Sequence, residues 1–206
     1  MILLFRHGWG FDASFWSTLA AQLPAWRAVC DDRGYFGEPD APDMAEPHIV
    51  VAHSFGAMRA LSQPVAECRG LIAINGFNRF TPGISPRIVD RMVAKFDSEP
   101  AQVLADFRRR CGDDAAFGPA NVARLREDLL TLRDGDCTAA SANWPVPILS
   151  LQGAQDPLLP PPMRDEAFGT APLLERMTHP TGGHLLPATD GPWCARAIAA
   201  FAERLA

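Results

Sequence analysis

The stretch His48-Ile49-Val50-Val51-Ala52-His53-Ser54-Phe55-Gly56 decides how this chain is read. Ile49 to Ala52 is a continuous apolar, largely β-branched run, the pattern of a strand buried on both faces in a parallel sheet. It stops at Ser54, after which Ala57-Met58-Arg59-Ala60-Leu61 opens a helix. Strand, sharp turn and helix are the context that a G-x-S-x-G nucleophile elbow requires. In such a turn the residues two before and two after the serine must be small, so that neighbouring backbone can pass close to a strained residue. Here they are Ala52 and Gly56, alanine standing where glycine is usual. The stretch alone also fits a serine that merely caps a helix after a strand, so the rest of the chain must decide between the two.

Composition sets the outer bounds. The chain has 206 residues, 48% hydrophobic and 21% charged, which fits one globular domain with a small insertion and a real core. A net charge of -5 argues against a nucleic-acid binder, which would carry a basic excess. Cys30, Cys68, Cys111, Cys137 and Cys194 are odd in number, widely spread and free of any C-x-x-C pair. They read as reduced thiols of a cytoplasmic protein, and not as a disulfide frame or zinc site. The apolar run at Met1 to Phe5 is too short for a signal peptide, and no run of about 18 apolar residues predicts a membrane span.

In chain order, Ile2 to Phe5 predicts a first strand that delivers the chain into His7-Gly8-Trp9-Gly10, a tight turn where backbone must approach something. Ser14 to Leu23 shows helical spacing and is stopped by Pro24. Ala28 to Cys30 is a weak second strand, and a proline-rich link from Glu38 to Pro47 leads to the Ser54 strand. Leu71 to Asn75 predicts a fourth strand. Alternating strands and helices indicate an α/β architecture, mainly parallel and flanked by helices. From 77 to 144 the pattern turns helical, with segments at Pro86 to Phe96, Ala101 to Arg110 and Asn121 to Leu132. We expect a lid there, inserted into a core made of 1–76 and 145–206. Strands return at Ile148 to Gln152 and Leu174 to Met177, and an amphipathic helix closes the chain from Gly191 to Leu205.

A serine hydroxyl is a poor nucleophile until a base removes its proton, so a histidine and an orienting carboxylate are required. Asp156 lies in the loop beyond the strand ending at Gln152, the sheet edge where functional groups collect. His184 stands in Gly182-Gly183-His184-Leu185 after the last strand. Asp156 alone could cap a turn before Pro157, and His179 is a rival base, although it lies on or near the last strand. His53 adjoins the serine, but its side chain should point away from it. Acyl transfer further needs backbone N–H groups aimed at a developing oxyanion, and Phe55 and Trp9 are the candidates. No metal or organic cofactor is implied.

With these residues in place, the chain resembles an α/β-hydrolase over nearly its whole length. The matching blocks are His7-Gly8-Trp9-Gly10, Arg33-Gly34-Tyr35-Phe36-Gly37, Ala52-His53-Ser54-Phe55-Gly56, Asp156 and His184, in the serine, aspartate, histidine order of that fold. More narrowly, it is similar to the carboxylesterases of biotin synthesis that demethylate pimeloyl-[acyl-carrier protein] methyl ester. The His-Gly-Trp-Gly entry, Trp16, and Phe107-Arg108-Arg109-Arg110-Cys111-Gly112-Asp113 with Phe117 carry that likeness. The chain departs from larger members in starting directly at the strand before His7 and in its short lid. The resemblance implies a serine esterase acting on an ester carried by an acidic protein. A basic lid, Arg108, Arg109, Arg110 and Arg124 among its cations, would face that partner. The same arginines fit an ordinary solvated helix face balanced by Asp106, Asp113, Asp114, Glu127 and Asp128.

Overall fold

The apolar runs of the sequence become six strands: β1 (Ile2–Arg6), β2 (Arg27–Asp31), β3 (His48–His53), β4 (Cys68–Ile74), β5 (Ile148–Gly153) and β6 (Leu174–His179). They form one sheet in the order β2-β1-β3-β4-β5-β6, and every pairing is parallel. The structure, a computed structural model, describes residues 1–205 apart from Val65 and Pro82. Central strands must satisfy both faces, and the two-residue period divides them. Leu3, Phe5, Ile49, Val51, Ile72 and Ile74 point to one side, while Ile2, Leu4, Val50, Ala52, Leu71 and Ala73 point to the other.

Helices cover both sides. On the first lie a 3-10 turn (Ala13–Trp16), α1 (Ser17–Ala20) and the closing helix; on the second lies α2 (Phe55–Ser62). The helix expected from Ser14 to Leu23 is therefore shorter than its apolar spacing predicts. Asp12 caps the first turn by accepting from the Ser14 amide, and Pro24 cannot continue a helix, so little more than two turns fit between them.

Between β4 and β5 the chain forms α3 (Pro86–Phe96), α4 (Pro100–Cys111), α5 (Val122–Asp134) and α6 (Thr138–Ala142). The boundaries follow local chemistry. Pro86 and Pro100 sit at helix starts, where a missing N–H costs nothing. Gly112, at φ 102°, ends α4 in the left-handed conformation glycine favours, and Asn121 caps α5. Helices α3, α4 and α5 pack on one another and on Trp9, whereas α6 packs against α2 beside the sheet. After β5 come α7 (Pro161–Glu166), α8 (Leu186–Thr189) and α9 (Gly191–Glu203), the last capped by Asp190.

The cap formed by α3–α5 is held down by polar clamps. Asp128 of α5 is buried and accepts from Arg33 at 2.7 and 2.8 Å and from the Tyr35 hydroxyl at 2.6 Å. The Trp9 indole N–H donates to the Leu125 carbonyl at 2.8 Å.

The turn after β3 depends on Gly56. A Cβ there would lie 2.4 Å from the Arg6 carbonyl oxygen and 2.8 Å from that of His7. Backbone on both sides leaves no room to relax, so Gly56→Ala is expected to destabilise the fold by about 3 kcal/mol, read from the midpoint of urea unfolding.

Candidate active site

Ser54 follows β3 directly and adopts φ 52°, ψ -122°, a conformation that a residue with a Cβ rarely occupies. Its amide donates to the Ile74 carbonyl at 3.1 Å, which ties the turn to β4. The result presents Oγ outward at the C-terminal edge of the sheet.

His184, 1% exposed, meets it there: Nε2 stands 3.1 Å from Ser54 Oγ, and Nδ1 stands 2.7 Å from Asp156 Oδ2. With Nδ1–H donating to the carboxylate, Nε2 carries the lone pair that accepts from the serine. The other Asp156 oxygen accepts from the Leu158 and Leu159 amides at 2.7 and 3.1 Å, so the acid is pinned by its own loop. All three sequence candidates thus come together. His179 instead ends β6 and bonds Asp190 at 2.9 Å, and so is no partner of Ser54.

The loop after β1 closes over the serine. A Cβ on Gly8 would lie 3.1 Å from the Ser54 Cβ, which shows how near this backbone passes. Among the described residues, the backbone N–H groups of Trp9 and Phe55 have no hydrogen-bond partner; Phe55 opens α2, where first-turn amides lack intrahelical acceptors.

Two residues that the sequence reading left without a role hold this arrangement. Asn75, buried at φ 45°, donates to the Gly183 and His184 carbonyls at 2.8 Å each and accepts from the Gly153 amide at 2.7 Å. The His53 Nε2 lies 2.9 Å from the His184 carbonyl. Burial, with His184 close by, pushes the His53 imidazole well below its ordinary range, so it is a neutral donor. The one advance signal for Asn75 was a polar residue ending an apolar strand at the sheet edge.

A cavity of about 360 Å³ opens beside Ser54. Trp9, Phe77, Val103, Phe107, Leu129 and Leu158 make its walls, and Arg91, Lys95, Asp106 and Arg110 stand at its exposed end. Of the lid arginines picked from sequence, only Arg110 borders this cavity; its guanidinium donates to the Pro157 carbonyl. Arg108 is paired with Asp113 and lies over the rings of Phe11, Phe36 and Phe117. Arg109 pairs with Asp106 and Asp114 on the surface. Arg124 borders a different cavity. Residues 77–144 carry ten Lys and Arg against ten Asp and Glu, so the insertion has no net charge.

No protein-family model matches this sequence, and no curated sequence matches it. Solved structures do. An esterase from Exiguobacterium antarcticum superposes with a TM-score of 0.84 at 15% identity over 98% of this chain and 92% of that one. A thermophilic esterase from Thermogutta terrifontis gives 0.82 at 18% identity over 100% and 90%. An enol-lactonase from Burkholderia xenovorans gives 0.80 at 15% identity over 98% and 90%. The chain therefore has the α/β-hydrolase fold. No helix among the described residues is long and apolar enough to cross a membrane.

Asp32 braces the loop after β1 from behind. Burial pushes its carboxyl up, but the His7 imidazole at 3.7 Å and the amides of Ala13 and Gly34 at 2.9 and 2.8 Å outweigh that and hold it at about 2. A carboxyl depressed in the folded state adds stability that is full above its unfolded pKa near 4 and is lost as pH falls through 2. Wild type should exceed Asp32→Asn by about 2 kcal/mol at pH 6, and the gap should close between pH 4 and 2 in chemical denaturation.

Proposed function

We propose that this chain is a serine carboxylic-ester hydrolase working through an acyl-enzyme. The observation that carries the proposal is the hydrogen-bonded line Ser54–His184–Asp156, buried beside an apolar cavity. His184 Nε2 takes the Ser54 proton as Oγ attacks the ester carbonyl, and Asp156 holds the imidazole and favours its charged form. The amides of Trp9 and Phe55 receive the oxyanion. The imidazolium returns the proton to the departing alkoxide, and the alcohol leaves. Water, deprotonated by the same base, then attacks the acyl-Ser54 ester and frees the acid. The names of the structural neighbours, two esterases and an enol-lactonase, support ester cleavage as the reaction.

The substrate we propose is the methyl ester of pimeloyl-[acyl-carrier protein], cleaved in the cytoplasm during biotin synthesis. An apolar cavity suits a methylene chain, and Arg91, Lys95 and Arg110 at its exposed end suit an acidic carrier. Arg91 and Arg110 have no carboxylate partner among the described residues, so their charge is open to a visitor. A second reading, a general esterase for small esters without a carrier, is favoured by the neutral charge balance of the insertion.

Ser54→Ala should lower hydrolysis of a p-nitrophenyl ester by about 10⁵-fold with an unchanged melting temperature. A fluorophosphonate probe should label wild type at Ser54 and not the variant; a folded wild type that is neither active nor labelled would instead be a binding protein that has lost the chemistry.

The carrier-bound methyl ester should be cleaved with a kcat/KM at least about 10-fold above that of the free ester, and Arg91→Glu with Arg110→Glu should erase the advantage. Equal rates for the two substrates in wild type assign the general esterase.

A further inference from the structure

A second cavity, of about 290 Å³, lies behind the loop after β1 and is bordered by Arg6, Arg33, Arg59 and Arg124 with Asp31 and Asp32. Its lining carries four guanidiniums against two carboxylates. Arg6 and Arg59 are more than nine-tenths buried and share a single carboxylate. Arg59 Nη2 bonds both oxygens of Asp31, at 2.8 and 3.1 Å. Arg6 Nε stands 3.1 Å from Asp31 Oδ2 without the alignment of a hydrogen bond, while its Nη1 donates to the carbonyls of Arg59 and Gln63. Arg59 Nη1 is buried with no partner.

The other carboxylate does not make up the difference. Asp32 gives its oxygens to the Ala13 and Gly34 amides and forms no ion pair with Arg6 or Arg59. Arg33 is answered by Asp128 outside the cavity. Among the described residues Arg124 reaches only Glu127, at 3.9 Å, and Glu127 is itself shared with Arg33. Among the described residues Arg6 and Arg59 thus share Asp31 as their one ion-pair partner, and Arg124 is loosely held. Buried charge without a counterion is costly, and guanidinium forks match the oxygens of phosphates. Burial, with Arg59 adding to it against the pull of Asp31, lowers the Arg6 pKa.

We infer that this cavity is an anion site that binds a small phosphate monoester between Arg59, Arg6 and Arg124. A phosphate monoester carries about 1.5 to 2 negative charges near pH 7 and would face a lining with two more guanidiniums than carboxylates. The volume equals roughly ten waters at about 30 Å³ each, more than phosphate alone fills, leaving room for a few further atoms. The site lies apart from Ser54, since none of the residues bordering it borders the Ser54 cavity. It does adjoin the reactive edge through the chain itself, because Arg6 immediately precedes His7-Gly8-Trp9.

Calorimetric titration of the full chain with glycerol 3-phosphate, inorganic phosphate and citrate tests this. Saturable 1:1 binding of glycerol 3-phosphate is expected in wild type and, unchanged, in Ser54→Ala, so the result stands apart from that on ester hydrolysis. Arg124→Ala should weaken it about 10-fold or more, the effect of removing one charge-assisted contact. The Arg124 side chain is about one-third exposed and loosely paired, so this variant keeps its fold, whereas Arg59→Gln would break a buried ion pair. Tighter binding of citrate than of both phosphates, no saturable binding, or wild-type affinity in Arg124→Ala overturns the proposal.

Discussion

The conformation of Ser54 is the constraint on which the other parts depend. A non-glycine residue at φ 52°, ψ -122° stores of order 1–3 kcal/mol and persists only where its surroundings leave no alternative. Those surroundings are backbone. The Ile74 carbonyl holds the Ser54 amide, the carbonyls of Arg6 and His7 press against Gly56, and Gly8 passes within van der Waals reach of the serine. Because β1 and β4 flank β3 in register, these contacts are fixed by the sheet itself. The strain is therefore borne by the most deeply buried part of the molecule, and the loop after β1 is placed over the serine as a consequence.

The same edge fixes the histidine through its carbonyl more than through its ring. His53 and Asn75 both donate to the His184 oxygen, and Asn75 also grips Gly153 at the end of β5. Asn75 shares with Ser54 a positive φ at the end of a central strand. Two adjacent strands thus end in strained residues, one offering a hydroxyl and the other an amide that ties three loops together. Neutral His53 suits this place, since a second charge beside His184 would oppose protonation of that histidine in the proposed mechanism.

Much of this was legible in the sequence, for identifiable reasons. The buried parallel strands read as uninterrupted apolar runs, and punctuation by Pro86, Pro100, Gly112 and Asn121 set the helix limits within a residue or two. Ser54, Asp156 and His184 stood out because each follows a strand, the edge where such groups gather. Asn75 and His53 were hidden because their work lies in bonds to main-chain oxygen more than a hundred residues away, for which no spacing exists. The arginines were the least legible. A count of cations in 77–144 says nothing of which carboxylate each one meets, and Arg108, inside an aromatic cluster beside Asp113, resembles Arg110 in sequence alone.

That sorting of charges bears on how cap and sheet work together. Once Arg108, Arg109, Arg126 and Arg133 are matched with carboxylates, the insertion retains little free charge, and what remains near Ser54 sits at the open end of an otherwise apolar cavity. The cap also does not float above the sheet. Trp9 lines the Ser54 cavity and its indole N–H donates to the Leu125 carbonyl, while its ring packs edge-on to Phe107 and Phe96. The residue whose amide is proposed to receive the oxyanion is thus also a wall of the Ser54 cavity and an anchor of α5. A shift of the cap would move Trp9, so the cap and the loop after β1 are coupled through one side chain.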